Sequence, residues 1–195
     1  MARPKSFNEA DVLTRMMEVF WRQGYEATSM RHLEKASGLT AGSIYHEFGS
    51  KKALFERTLS FYISTVIGWR IDKYLHQASD PLEGIRDFLV TTFKEVPERY
   101  RWQSCLLINT AAELGQNDPA IGKIIARGMQ RIETAFTECL IQARANGQLK
   151  PGVDPALAAK QLGLLLPGIL IAARNHASNS SLEAAVDFQM TQLTG

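Results

Sequence analysis

Three glycines, Gly24, Gly38 and Gly49, cut the N-terminal quarter of the chain into short segments of helical apolar period, and this spacing constrains the fold more than any other feature. From Asn8, an N-cap residue type, Val12, Leu13, Met16, Met17 and Phe20 recur at three- and four-residue intervals, and Gly24 supplies the stop. Thr28 opens a second short helix with Met30, Leu33 and Ala36 inward, closed by Gly38, where a left-handed backbone costs a glycine little. Thr40 caps a third helix, in which Ile44 and Phe48 form an inward i, i+4 pair before Gly49 ends it. Two short helices joined by Ser37-Gly38-Leu39 have helix-turn-helix spacing, in which the second helix enters a major groove and the first braces it on the backbone. Glycine turns also join helical hairpins in cores and repeat proteins, so spacing alone leaves those arrangements open.

The side chains of the third helix narrow the choice. Thr40, Ala41, Gly42 and Ser43 are small, so the first turn can approach phosphates and base edges closely with its backbone N–H groups and positive helix end outward. Tyr45 and His46 add hydrogen-bonding tips beside the inward Ile44 and Phe48, and Lys51 in the first turn of the next helix is within reach of a phosphate. The net charge of +2 is too small to argue for nucleic acid by its size. Its distribution is informative: up to Lys52 there are eight basic and six acidic residues, and the remaining chain is balanced.

Ser50 caps a long helix running through Leu54, Phe55, Leu59, Tyr62, Ile63 and Val66 toward about Gln77. Beyond Asp80-Pro81 the pattern predicts helices near 81–95, 104–114, 118–146, 154–176 and 181–193, with no strand and no repeat. The fold class is therefore all-α, with an N-terminal three-helix head over 1–52 and a larger helical domain over 53–195. The helix from Ser50 belongs to both, so movement in the C-terminal half can be transmitted to the head. The apolar stretch Leu162–Ala173 is interrupted by Gly163, Pro167 and Gly168 and falls short of the roughly 18 apolar residues of a membrane span. The first residues lack the apolar core of a secretory signal, and the two cysteines, Cys105 and Cys139, form neither a disulfide framework nor a metal-ligand pattern. A cytoplasmic protein without a membrane anchor or cofactor is expected.

The run Gly24-Tyr25-Glu26-Ala27-Thr28-Ser29-Met30-Arg31-His32-Leu33, followed by Ala36-Ser37-Gly38-Leu39-Thr40-Ala41-Gly42-Ser43-Ile44-Tyr45-His46-Glu47-Phe48-Gly49-Ser50-Lys51-Lys52-Ala53-Leu54-Phe55, closely resembles the TetR family of repressors. The resemblance is strong over about residues 8–57; elsewhere only length, helical content and helix order match. It implies a homodimer that binds a near-palindromic double-stranded DNA operator and releases it when a small-molecule effector occupies the C-terminal ligand-binding and dimerisation domain. It further implies that Thr28, Ser29 and Arg31 face phosphates or groove edges, that Thr40 through Ser43 line the base-reading turn, and that Tyr45, His46 and Lys51 anchor the backbone. Glu47 departs from the pattern, since a carboxylate near phosphate is repulsive.

In the C-terminal half, helix 154–176 is apolar around much of its circumference and so needs more than one packing partner, which a solenoid or a lone bundle would also supply; the resemblance implies that with helix 181–193 it forms the dimer interface. Pro167 should bend it. The segment from Trp102 to Leu114 places Cys105, Asn109 and Ala112 or Glu113 on one stripe. It resembles the corresponding helix of electrophile-sensing TetR members, which makes Cys105 a candidate sensor, although cysteine is also a common buried hydrophobe. Phe88, Trp102, Cys105 and Asn109 are the candidate effector-binding residues. Two other functions remain open on residues alone: a DNA-binding or scaffold protein without a ligand, and an all-α enzyme. Against the enzyme, none of the four histidines lies in an HExxH spacing, and the chain has neither a glycine-rich phosphate loop nor a nucleophile elbow.

Overall fold

A computed structural model describes residues 7–96, 105–115 and 117–194, and among these the chain forms nine helices. They are α1 (Glu9–Gln23), α2 (Met30–Ser37), α3 (Ala41–Phe48), α4 (51–76), α5 (Pro81–Lys94), α6 (Leu106–Leu114), α7 (Pro119–Ala145), α8 (Pro155–Arg174) and α9 (Asn179–Leu193). The only pairing of β type among the described residues is an isolated bridge between Leu149 and Thr194. Helix α4 is not uniform: α-helical Lys51–Tyr62 passes into a π-helical turn, Ile63–Ile67, then a single α turn, Gly68–Ile71, and a second π turn, Asp72–His76.

Helix ends follow their local chemistry. Asn8, Thr40, Ser50, Asp80, Asp154 and Ser178 each accept a backbone N–H of their own first turn, satisfying donors that would otherwise be left open. The start of α2 corrects the sequence reading. Its cap is Ser29, one residue later than expected, and His32 closes a reciprocal box by accepting the Ser29 N–H on Nδ1 at 3.2 Å. Thr28 instead donates its hydroxyl to the Gly24 carbonyl at 2.6 Å.

Two compact units divide the chain. The first comprises 1–65 and 106–125, the second 66–105 and 126–195, so α4 and α7 each contribute a segment to both. In the first unit α1 packs on α2, on the Lys51–Tyr62 segment of α4 and on α6, around Met16, Phe20, Leu33, Ile44, Leu54, Phe55 and Leu59. The Phe20 and Phe55 rings lie 4.7 Å apart and Tyr25 lies 4.9 Å from Phe55, within the range of favourable aromatic pairing. In the second unit α5 packs on the last turn of α4, on α8 and on α9. Gly84 permits the first of these contacts, since a Cβ there would stand 2.5 Å from the Tyr74 carbonyl oxygen. Arg86 of α5 binds Asp187 and Glu183 of α9 at 2.7 and 3.0 Å, and Lys94 reaches Glu183 at 2.6 Å.

Helix α8 runs without interruption through Pro167. By length and composition alone this 20-residue helix is apolar enough to cross a membrane, a test that buried core helices also pass. Its apolar residues divide between two faces. Ala158, Ala159, Leu162, Leu166, Ile169 and Leu170 are buried, whereas Leu157, Leu164 and Ile171, spaced by seven, are exposed, as is Phe188 on α9.

Candidate nucleic-acid interface

The hydrophobic pair Ile44 and Phe48 fixes which face of α3 is presented to solvent. With those two side chains inside, Gly42, Ser43, Tyr45 and His46 are exposed and Ala41 is half-buried. Tyr45, 48% exposed, is one of the few large ring-bearing side chains left in water. Thr40 holds the first turn: its Oγ1 accepts the Ser43 N–H at 3.2 Å and lies 2.9 Å from the Ser43 hydroxyl. Ser29 and Arg31 are exposed at the start of α2. Lys51 is half-buried, its ammonium 4.3 Å from the centre of the Tyr25 ring, a cation–π contact.

Nine of the ten residues assigned to DNA therefore reach the surface of α2, α3 or the start of α4. Thr28 does not: it is 1% exposed and its hydroxyl bonds inward, so its place is in the turn that carries α2. A second correction concerns the first turn of α3, expected to hold its N–H groups open. The Glu34 carboxylate accepts the Ala41 N–H at 2.7 Å, and the Ser43 N–H is taken by Thr40. Glu34 thus ties α2 to the start of α3 across the turn. Ser37 is the other residue that sequence missed. Buried at the end of α2, it donates to the Leu33 carbonyl at 2.7 Å and accepts the Leu39 N–H at 3.1 Å, while Arg15 of α1 holds its carbonyl. Glu47 is half-buried.

The candidate effector residues fall in different places. Phe88 is buried in α5, edge-on to Phe136 at 5.3 Å, with the Arg70 guanidinium 5.0 Å from its ring centre. Cys105 is a half-buried thiol, in no disulfide, immediately before α6, and Asn109 is half-buried one turn into that helix. Trp102 lies outside the described residues. The second cysteine, Cys139, is buried at 3.7 Å from the Leu75 carbonyl, and burial pushes its thiol up to about 11, which keeps it protonated and unreactive.

Known proteins share this arrangement. The family model of bacterial regulatory proteins of the tetR family matches residues 13–58, and that of the tetracyclin repressor-like C-terminal domain matches residues 81–188. The chain is 28% identical over 185 residues to the HTH-type transcriptional repressor ComR of Escherichia coli K12, covering 92% of this chain and 86% of ComR. It is also 28% identical over 194 residues to the HTH-type transcriptional regulator YezE of Bacillus subtilis 168, covering 99% and 100%. Among solved structures, a cysteine mutant of the TetR family regulator CifR complexed with 26-bp double-strand operator DNA superposes with a TM-score of 0.81 at 27% identity, covering 97% of this chain and 98% of that one. The C-terminal match alone spans more than half of the chain and the N-terminal match falls on the helices that present Ser29, Arg31 and the α3 turn, so the protein belongs to the TetR family of DNA-binding transcriptional regulators.

Proposed function

We propose that the protein is a homodimeric repressor, in which each copy places α3 in the major groove of one half of a near-palindromic operator and a small-molecule effector favours release. The observation that carries this reading is the exposed face of α3, small and polar from Thr40 to Ser43 and closed beneath by Ile44 and Phe48. Ala41, Gly42 and Ser43 read base edges; Ser29, Arg31, Tyr45, His46 and Lys51 fix the register through phosphates, the usual division between specificity and affinity. One module of this size reads too few base pairs for useful specificity, and a second copy supplies the other half-site. The apolar stripe of Leu157, Leu164 and Ile171 with Phe188 gives that copy a surface to bind. The repressor role follows the relative ComR, a repressor by name, and a DNA partner fits the cytoplasmic location expected from the sequence.

A duplex selected from a random-sequence pool by the wild-type protein tests the reading directly. The selected sequences should carry two-fold symmetry, with half-sites about one helical turn apart. A pool that yields no enriched sequence, or a wild-type chain that sediments as a monomer at micromolar concentration, overturns it. The effector site is proposed to involve Phe88, Trp102, Cys105 and Asn109. A thiol-reactive compound that displaces the wild type from the selected duplex but leaves Cys105→Ser bound locates the sensor at Cys105; equal release of both proteins returns that thiol to packing.

A further inference from the structure

Glu113 stands far along the chain from the helices that meet DNA, yet it belongs to the same compact unit. From the last turn of α6 its carboxylate accepts two consecutive backbone N–H groups, Tyr25 at 3.0 Å and Glu26 at 2.7 Å. Both lie in the turn between α1 and α2. Hydrogen bonds to an ionised acceptor are about twice as strong as neutral ones, and one carboxylate taking two neighbouring amides fixes the plane of the turn as well as its position. Gly24 makes the approach possible: with φ at +79°, a Cβ there would lie 2.8 Å from Glu113 Oε2.

What this turn carries makes the contact matter. Immediately after it come Thr28, whose hydroxyl returns to the Gly24 carbonyl, and Ser29, the cap of α2 and the first exposed residue of the DNA face before Arg31. The Tyr25 ring at its centre is the platform under the Lys51 ammonium and packs on Phe55 of α4. The cap of α7, Asp118, adds a second tie close by, receiving Lys52 at 2.6 Å. The two ties flank the residues that meet phosphate without using any of them.

Building on the DNA-binding reading above, we propose that Glu113 is a positioning residue for DNA recognition: by holding the Tyr25 and Glu26 amides it sets where Arg31 and Lys51 stand against the phosphates. The variant Glu113→Ala removes both acceptors. Its affinity for the duplex selected by the wild type should fall about tenfold, the scale expected for hydrogen bonds to a charged group. A double-mutant cycle separates positioning from general weakening, because a residue acting through Arg31 and Lys51 has little left to position once they are gone. In the Arg31→Ala/Lys51→Ala background the same substitution should therefore cost less than about threefold. Amide exchange at Tyr25 and Glu26 should quicken in Glu113→Ala, with helical content and dimer mass unchanged. Wild-type affinity in a folded Glu113→Ala protein overturns the proposal, and so does a full tenfold loss that persists in the double-mutant background. Should Glu113→Ala not fold, the isosteric Glu113→Gln, which keeps one carbonyl acceptor, is read through the same cycle with a smaller expected loss. If the wild type itself selects no duplex, the DNA-binding reading fails first, and the two failures are distinct.

Discussion

Helices α3 and α8 each leave one face in water, and the contrast between those faces separates the two kinds of partner this protein takes. On α3 the open face is built of Gly42, Ser43, Tyr45 and His46, small or hydrogen-bonding throughout. On α8 it carries the large apolar side chains Leu157, Leu164 and Ile171, with Lys160 and Gln161 exposed beside them. A polar face can stay hydrated until a polyanion replaces its water, whereas an apolar stripe favours permanent burial, which in the dimer proposed above a second copy of the chain would provide. The lesson is that burial rather than composition identifies each face: α8 is apolar around much of its circumference, and the packing of its neighbours, α5 and α9 among them, decides which leucines remain outside.

The sharpest test of that contrast sets neighbours on α8 against each other. Leu166 is 4% exposed and Leu164 is 72% exposed. Leu166→Glu buries an unpaired charge and should cost about 4 kcal/mol or more, enough to abolish the folded state in a thermal melt. Leu164→Glu should leave the helical spectrum intact and shift sedimentation toward the monomer, with operator affinity lost as a consequence. If both behave alike, the exposed stripe is not the interface.

On the α3 side, Arg31→Ala with Lys51→Ala should weaken binding to every duplex and lower the salt slope by about one unit for each phosphate contact removed. Ser43→Ala should instead change which sequences are selected. An unchanged salt slope in the Arg31 and Lys51 variants would move the DNA face elsewhere. Thr40→Ala is expected to be milder. It removes the oxygen that accepts the Ser43 N–H, for about 1 kcal/mol of stability, and should cost affinity as well because the base-reading turn loosens.

The smallest effect is electrostatic. Three cap carboxylates lie below the ordinary carboxylate range: Asp80 through the Glu83 and Leu82 amides and Gln148, Asp118 through Lys52 and then its own helix amides, and Asp154 through the Leu157 and Ala156 amides. Because folding lowers these values, their contribution is complete above the ordinary aspartate value of about 4 and is lost as pH falls through the lowered values. The thermal midpoint should fall across that acid window, and less steeply in Asp154→Asn, which keeps a capping oxygen but no longer titrates. A midpoint with the same acid slope in that variant would remove Asp154 from the account.

Legibility in the sequence followed the range of the interaction. The caps at Asn8, Thr40 and Ser50 and the inward pair Ile44 and Phe48 are set by residues within one or two turns, and the local pattern carries them. Thr28 was misplaced because two adjacent hydroxyl residues both look like caps, and the deciding partner is His32, where the familiar box has Glu or Gln. Glu34 and Glu113 bind backbone amides, which every residue possesses, so no sequence pattern points to their targets. On α8, Leu166 and Leu170 read the same as Leu164 and Ile171 until the neighbouring helices are in place.

The two π turns of α4 make its length a matter of phase. A π turn accommodates one residue more than an α turn closed by the same stretch of helix, so it behaves as an insertion that the helix has absorbed. Deleting one residue from Ile63–Ile67 would therefore allow the ordinary hydrogen-bond pattern to return with the following side chains close to their present directions, whereas the same deletion inside an α-helical segment turns every side chain beyond it by about 100° around the axis. A deletion within Lys51–Tyr62 would by contrast take the buried Ile67, Ile71 and Leu75 away from their present neighbours together. The chain can therefore lose a residue more cheaply at a π turn of α4 than in the α-helical segment before it.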